Sequence, residues 1–277
     1  MAGCGFPPRI NGAHVRTTVA EDGGDYTRAG TVVIYYCNQG NLDFIGGPIT
    51  CLTSGHWANS DTLRGCSDCR SLYDAGQVDV GAFNVTPNSV NRMEVRCKNG
   101  WTIIHRRRYE GVDFRMQSWE SYKNGFGARY DDYWIGLENL HILTQTDNEI
   151  LFTLDLGNNQ IYTLQHNKFR VYNESTNYTM TVSKDFTCSR NMTQSFLGFY
   201  ESNNAAFSTI DKDNDRASFK SCVSYNGPWW YNKRCWTKIR GMNGFFEEMA
   251  IVLTDNNINI KLFPVMRAEI RIRRIKD

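Results

Sequence analysis

Asp211, Asp213 and Asp215 stand on alternate positions of the polar stretch Thr209-Ile210-Asp211-Lys212-Asp213-Asn214-Asp215. Carboxylates set this closely repel one another unless a cation neutralises them, and hard oxygens suit Ca2+. The competing reading is a solvated acidic loop. The stretch lacks the glycine and terminal glutamate of an EF-hand loop, so a calcium site here is of another kind. Further on, Tyr225-Asn226-Gly227-Pro228-Trp229-Trp230-Tyr231 lies between Cys222 and Cys235, whose pairing would lock it as a loop. Aromatic faces beside exposed backbone donors suit the apolar face and acetyl carbonyl of a sugar or peptide. The alternative places these tryptophans in the core, and for at least one of them that is the expectation.

Catalysis has no comparable support. The five histidines, His14, His56, His105, His141 and His166, are scattered, and none falls in H-E-x-x-H. Neither a G-x-S-x-G elbow nor a phosphate-cradling P-loop is present, so an enzyme is not expected. A formal net charge of +2 over 277 residues gives no strong field to attract nucleic acid or anionic membrane. No stretch approaches the ~20 apolar residues that cross a bilayer. The start, Met1-Ala2-Gly3-Cys4, lacks a basic-then-apolar leader pattern.

Nine cysteines point to an oxidising compartment and a secreted, disulfide-built chain. Cys66-x-x-Cys69 has no second pair to complete four zinc ligands. Sequons at Asn84, Asn173, Asn177 and Asn191 fit a secretory route with glycosylation. Nine is an odd count, and the pairings that the resemblances given below imply leave Cys188 over, for an intermolecular disulfide that would link two copies or for a capped or buried thiol.

The elements that must position these residues fall into two parts. Residues 1 to 66 carry short β-branched and aromatic runs such as Thr31-Val32-Val33-Ile34-Tyr35-Tyr36, punctuated by glycines, which reads as a small all-β unit. So short a unit needs disulfide staples, and its four cysteines allow three pairings that spacing does not choose among. From Cys69 onward the composition is aromatic and mixed. Phe114 to Phe126 has Trp119, Tyr122 and Phe126 at helical spacing and ends at Gly125 and Gly127. Glu149 to Leu156 and Gln160 to Gln165 alternate as two strands around Gly157-Asn158-Asn159. The basic runs Arg106-Arg107-Arg108 and Arg267 to Lys276 are read as solvated faces, with Ile270 and Ile272 alternating against Arg271 and Arg273.

Cys4-Gly5-Phe6-Pro7-Pro8, then Tyr26, Gly30, Val33, Tyr35 and Cys37, then Cys51, Gly55, Trp57 and Cys66, closely resemble a sushi, or complement control protein, module. The resemblance implies pairing of Cys4 with Cys51 and of Cys37 with Cys66, with Trp57 in a small core. Only Ser67 and Asp68 follow before a second resemblance begins. Cys69-Arg70-Ser71-Leu72-Tyr73, Gly100-Trp101-Thr102-Ile103-Ile104, Tyr122-Lys123-Asn124-Gly125-Phe126-Gly127 and Tyr133-Trp134-Ile135-Gly136-Leu137 resemble the opening of a fibrinogen C-terminal domain. The block from Phe207 to Asp215, with Cys222, Trp229-Trp230-Tyr231 and Cys235, completes it. The expected architecture is therefore a small all-β sushi module over 1–67 followed by an α+β fibrinogen C-terminal-like domain over 68–277, with Cys69 paired to Cys97 and Cys222 to Cys235.

That second resemblance implies a Ca2+ site with Asp213 and Asp215 as side-chain ligands and carbonyls near Ala217 and Phe219. In lectin-type members the ligand pocket implies Tyr225, Trp230, Arg234, Cys235 and Trp236, with a cis peptide between Arg234 and Cys235 aiming backbone donors at Cys235 and Trp236. Ala250-Ile251-Val252-Leu253 and Asp255-Asn256-Asn257 replace the elements that usually form the far wall. The expected function is calcium-dependent binding of a glycan or acetylated ligand. The alternative is a protein-binding adhesion, self-recognition or signalling ligand for a cell-surface partner. No collagen-like repeat or heptad run supplies the linked copies that weak single sites need.

Overall fold

The computed structural model describes residues 3–9, 13–17, 28–36, 48–60, 66–74, 80–87, 91–108, 111–128, 131–189, 198–218, 221–233, 235, 239–244, 249–255 and 259–275. The chain divides into two compact units, Met1–Thr102 and Ile103–Asp277.

In the first unit, strands β1 (His14–Thr17), β2 (Val32–Tyr36), β3 (Ile49–Cys51) and β4 (Trp57–Ala58) form an antiparallel sheet in that order. The β-branched run makes β2 because alternate side chains face opposite sides: Val33 and Tyr35 are buried while Ile34 is half-buried. Val33 lies opposite Ile49, and both are buried. Cys4 is bonded to Cys51 across 47 positions of sequence. Closing a loop of that length removes about 4 kcal/mol of denatured-state entropy in the chain-entropy account. Cys66 is disulfide-bonded, while Cys37 lies outside the described residues. Helix α1 (Cys69–Asp74) is tied by the Cys69–Cys97 disulfide to β6 (Met93–Lys98), which pairs with β5 (Gly81–Val85).

Strand β7 spans Trp101–Arg107. After it come helix α2 (Trp119–Asn124), β8 (Phe126–Gly127), β9 (Tyr133–Trp134) and helix α3 (Leu137–Leu143). The main sheet of the second unit adds β10 (Asn148–Asp155), β11 (Ile161–Val171), β12 (Met180–Val182) and β13 (Phe186–Cys188). Beyond it lie β14 (Phe207–Ser208), α4 (Val223–Asn226), β15 (Trp229–Trp230), β16 (Ile239–Arg240), β17 (Ala250–Asp255), β18 (Asn259–Pro264) and β19 (Arg267–Arg274). In the main sheet the order is β12-β11-β10-β19-β7, so the chain's last strand sits in the middle.

The two alternating runs form β10 and β11, joined at Gly157-Asn158-Asn159, where all three residues adopt positive φ. Strand β11 continues to Val171, beyond the expected end at Gln165, because a bulge resets its pairing and Phe169 meets Asn148. Helix α2 starts at Ser118, whose hydroxyl accepts the Ser121 N–H, and it buries Trp119 and Tyr122 on one face. It stops at Gly125 with φ of 92°, where a Cβ would come within 2.8 Å of the Ile135 carbonyl oxygen.

The run Arg106-Arg107-Arg108 corrects the solvated-face reading, because Arg106 and Arg107 are buried. Arg106 Nε donates to Glu269 Oε2 at 2.8 Å. Arg107 donates to the carbonyls of Met242 and Gly244 at 3.1 and 2.9 Å. Only Arg108 of the three is exposed. In β19, Ile270 and Ile272 point into the core, while Arg271 pairs with Glu269 and Arg273 with Glu149.

Candidate functional site

The aspartate stretch follows β14 and is shaped from within. Thr209 and Lys212 pair as a tight bridge, and Asn214 is anchored by its N–H on Ser208 Oγ and its Nδ2 on the Phe207 carbonyl. Asp211 is diverted: its Oδ1 accepts from the Trp119 N–H at 2.8 Å and from the Thr209 hydroxyl at 2.7 Å. A carboxylate at a helix start is satisfied by orphan N–H groups, so the three-carboxylate cluster becomes a two-carboxylate one. Among the described residues no three His, Cys, Asp or Glu side chains gather as a metal-binding group.

Asp213 and Asp215 remain together. Asp213 Oδ1 accepts from the Asp215 N–H at 3.1 Å. Asp215 Oδ1 accepts from the Ala217 N–H at 2.9 Å, and its Oδ2 accepts from the Cys222 N–H at 2.7 Å. Burial raises the Asp215 carboxyl above the ordinary carboxylate range and the Asp213 charge adds to this, while the two backbone N–H groups pull it back. Both carboxylates keep unused lone pairs, and such hard oxygens are the ligand type that Ca2+ takes, although two carboxylates supply only part of the about six to eight it needs. Phe219 lies outside the described residues.

Asp215 thereby grips the residue that opens the aromatic loop. Cys222 is bonded to Cys235, and α4 fills the start of the loop between them. Asn226 Nδ2 donates to the Cys235 carbonyl at 3.2 Å, and Gly227 closes the helix through its N–H on Val223 O. Tyr225, within α4, is 55% exposed. Arg115 reaches the loop from outside, donating to the Ser224 carbonyl at 2.9 Å.

Trp230 is a correction to the expected ligand-binding set. It is buried, its indole N–H donates to the Tyr178 carbonyl at 2.8 Å, and its ring packs edge-on to Phe207 at 4.8 Å. Pairing of β15 with β14 turns it inward, and Trp229 is buried beside it. Tyr231 is also buried, and its hydroxyl donates to the Gly227 carbonyl at 2.7 Å. Arg234 and Trp236 lie outside the described residues, and so does the expected cis peptide before Cys235. Of the expected set, Tyr225 and Cys235 are therefore the members placed at the loop.

A polar clamp that the motifs did not single out holds this loop from behind. Asn243 Nδ2 donates to the Pro228 carbonyl at 3.0 Å, while its Oδ1 accepts from His105 Nε2 at 2.8 Å. Gly227 approaches so closely that a Cβ would lie 2.0 Å from the Asn243 carbonyl oxygen. Burial first, and the Arg107 charge second, depress His105 to about 3, so the ring is neutral with its proton on Nε2, while the Asn243 bond opposes the shift. The available sequence signal was polar His105 and Arg107 inside an otherwise apolar strand pattern, with Asn243 in a Met-Asn-Gly turn.

Of the sequons, Asn173 is exposed, Asn84 and Asn177 are half-buried, and Asn191 lies outside the described residues. Cys188 is a half-buried thiol in β13, opposite Leu164. No helix among the described residues is long and apolar enough to cross a membrane.

The chain belongs to the fibrinogen C-terminal domain family: residues 65–270 match the family of fibrinogen beta and gamma chains, C-terminal globular domain. It is 34% identical over 173 residues to angiopoietin-related protein 1 of Bos taurus, covering 60% of this chain and 34% of that protein. It is 30% identical over 199 residues to ryncolin-4 of Cerberus rynchops, covering 69% of this chain and 55% of the relative. The chain thus spans between a third and about half of the length of these relatives. The fold matches the fibrinogen-like globe domain of human ANGPTL6 with a TM-score of 0.63 at 24% identity, covering 77% of this chain and 97% of that one. Lamprey fibrin D-dimer, complexed with the peptide Gly-His-Arg-Pro-amide, matches with a TM-score of 0.60 at 22% identity, covering 76% and 75% of the two chains.

Proposed function

We propose that this is a secreted recognition protein whose fibrinogen-like domain binds a glycan or acetylated ligand with the support of Ca2+. The observation that carries this reading is the bond from the Cys222 N–H to Asp215 Oδ2. Through it the carboxylate turn and the disulfide-closed loop bearing Tyr225 become one mechanical unit. Asp213 and Asp215 would hold the ion with the Ala217 and Phe219 carbonyls. Bound Ca2+ would neutralise the two carboxylates and stiffen the loop. Binding, with no bond made or broken, is then the whole activity.

A protein partner is the second reading. Met116 and Ile210 are 58% and 47% exposed, and each lies within a few residues of a bond that ties its segment to the site. Such apolar exposure, with that of Tyr225, suits a protein surface better than a sugar. Residues 1–67 would form a sushi module that supplies part of the interface, ahead of the domain at 68–277. The start of the family match at residue 65 and the bond between Cys4 and Cys51 support that division, whereas the compact units divide later, between Thr102 and Ile103. Cys188 would link two copies, and Asn84, Asn173, Asn177 and Asn191 would carry glycans.

The test is calorimetric titration of Ca2+ into the wild type and into Asp213→Ala/Asp215→Ala, followed by a glycan array with and without the ion. Saturable binding lost in the variant, with calcium-dependent capture of acetylated sugars, is the expected result. No calcium binding by the wild type removes the mechanism. Calcium binding with a blank array transfers the function to the protein partner.

A further inference from the structure

An open cavity of about 600 Å³ lies where the β10–β11 turn meets the start of β19. Its floor is apolar, with Ile161 and Met266 exposed by 50% and 52%. Among the described residues, two that bear guanidinium groups line it, Arg108 and Arg267.

The arginines around them are engaged. Arg106 and Arg271 share Glu269, Arg107 caps two carbonyls, and Arg273 holds Glu149. Among the described residues the Arg108 and Arg267 side chains have no hydrogen-bond or ion-pair partner. Arg267 sits directly opposite Asp155 in the β10–β19 pairing, where the obvious ion pair would form. Asp155 instead turns into its own hairpin, with Oδ1 accepting from the Gly157 N–H at 2.9 Å. Its backbone carbonyl takes the Met266 N–H at 2.7 Å, which seats Met266 on the cavity floor. Positive φ at Asn158 and Asn159 places both at the rim.

We infer that this cavity is a second binding site, for an acidic peptide segment that carries an aliphatic or aromatic residue between carboxylates. Two uncommitted guanidiniums on an apolar floor are complementary to that chemistry, because each can take a carboxylate in a bidentate bond while the apolar residue covers Ile161 and Met266. A sugar is the poorer fit, since among the described residues none that lines the cavity is aromatic. The site uses none of the groups of the Asp213–Cys235 region, so its occupancy does not depend on Ca2+.

The probe is a random dodecapeptide library, panned in EDTA on the intact wild-type chain with Arg108→Gln/Arg267→Gln as counter-selection. Selected peptides are then synthesised, with Asn and Gln replacing Asp and Glu as controls, and titrated by fluorescence polarisation. The expected result is a consensus with at least two carboxylates flanking an apolar residue. Its Kd should rise at least tenfold in the double variant, rise again between 0.05 and 0.5 M NaCl, and weaken in Ile161→Ser. Equal melting temperatures for wild type and variants secure the comparison; if R108Q/R267Q melts early, the single variants and Ile161→Ser decide. Failure to enrich acidic peptides, or enrichment that persists on the variants, overturns the inference. Arginine-dependent capture of a heparin-derived tetrasaccharide in place of any peptide also overturns it and assigns the cavity to sulfated sugar.

Discussion

His166 sits in β11 with no exposed surface. Its Nδ1 lies 2.8 Å from the Ser183 carbonyl and must donate, while its Nε2 lies 3.0 Å from the Phe199 N–H and must accept. These partners define one neutral tautomer, and protonation at Nε2 would cost the Phe199 bond. Burial lowers the ring to about 4, with the Ser183 bond opposing. The unfolded chain protonates this histidine near 6.5, so on acidification it binds the proton first. The stability His166 contributes is therefore complete above pH 6.5 and is lost as the pH falls toward about 4. The slope is about 1.4 kcal/mol per pH unit, or about 3 kcal/mol across the window.

His166→Gln removes the titration while losing one or two buried bonds, a cost of about 1–3 kcal/mol at pH 7. Urea unfolding of both proteins at pH 7, 6, 5 and 4.5 measures the gap between them, and the contribution of His105, common to both, cancels. The gap should shrink by about 2.5 kcal/mol between pH 7 and pH 4.5, and the variant should become the more stable protein there wherever its cost at pH 7 lies below that. A gap that stays constant to within about 0.5 kcal/mol from pH 7 to 4.5 would falsify the assignment of a buried neutral imidazole.

Two further outcomes follow from the packing. Glu269→Ala leaves the buried Arg106 guanidinium without its carboxylate and should cost about 3–5 kcal/mol in urea unfolding, whereas Arg106→Met/Glu269→Leu should recover most of that; equal losses in the single and double variants would show that the charge is not the cause. Gly227→Ala places a Cβ 2.0 Å from the Asn243 carbonyl oxygen at a φ of 75° and should lower the melting temperature by at least 5 °C, an expectation that a melt within 1 °C of wild type would contradict.

Several features were legible in the residues alone. Alternation in β10 and β19 announces strands because the backbone sends successive side chains to opposite faces, whatever lies beyond. Spacing of Trp119 and Tyr122, with glycine after Asn124, announces α2 for the same local reason. The fibrinogen-like motifs carry the family, since they hold residue types in order along one chain.

What the tertiary structure decided concerns groups whose partners lie far away in sequence. Arg106 looked like surface charge, and Glu269, 163 positions on, makes it core. Trp230 looked like a ligand wall until β14 turned it inward against Phe207 and Tyr178. Asp211 looked like a third cation ligand, and the start of α2, 92 positions earlier, claims its carboxylate. Local pattern fixes which way a side chain leaves the backbone, but its energy is set by whether water or protein meets it there. For a charge or an indole N–H that is settled only when distant strands close around it.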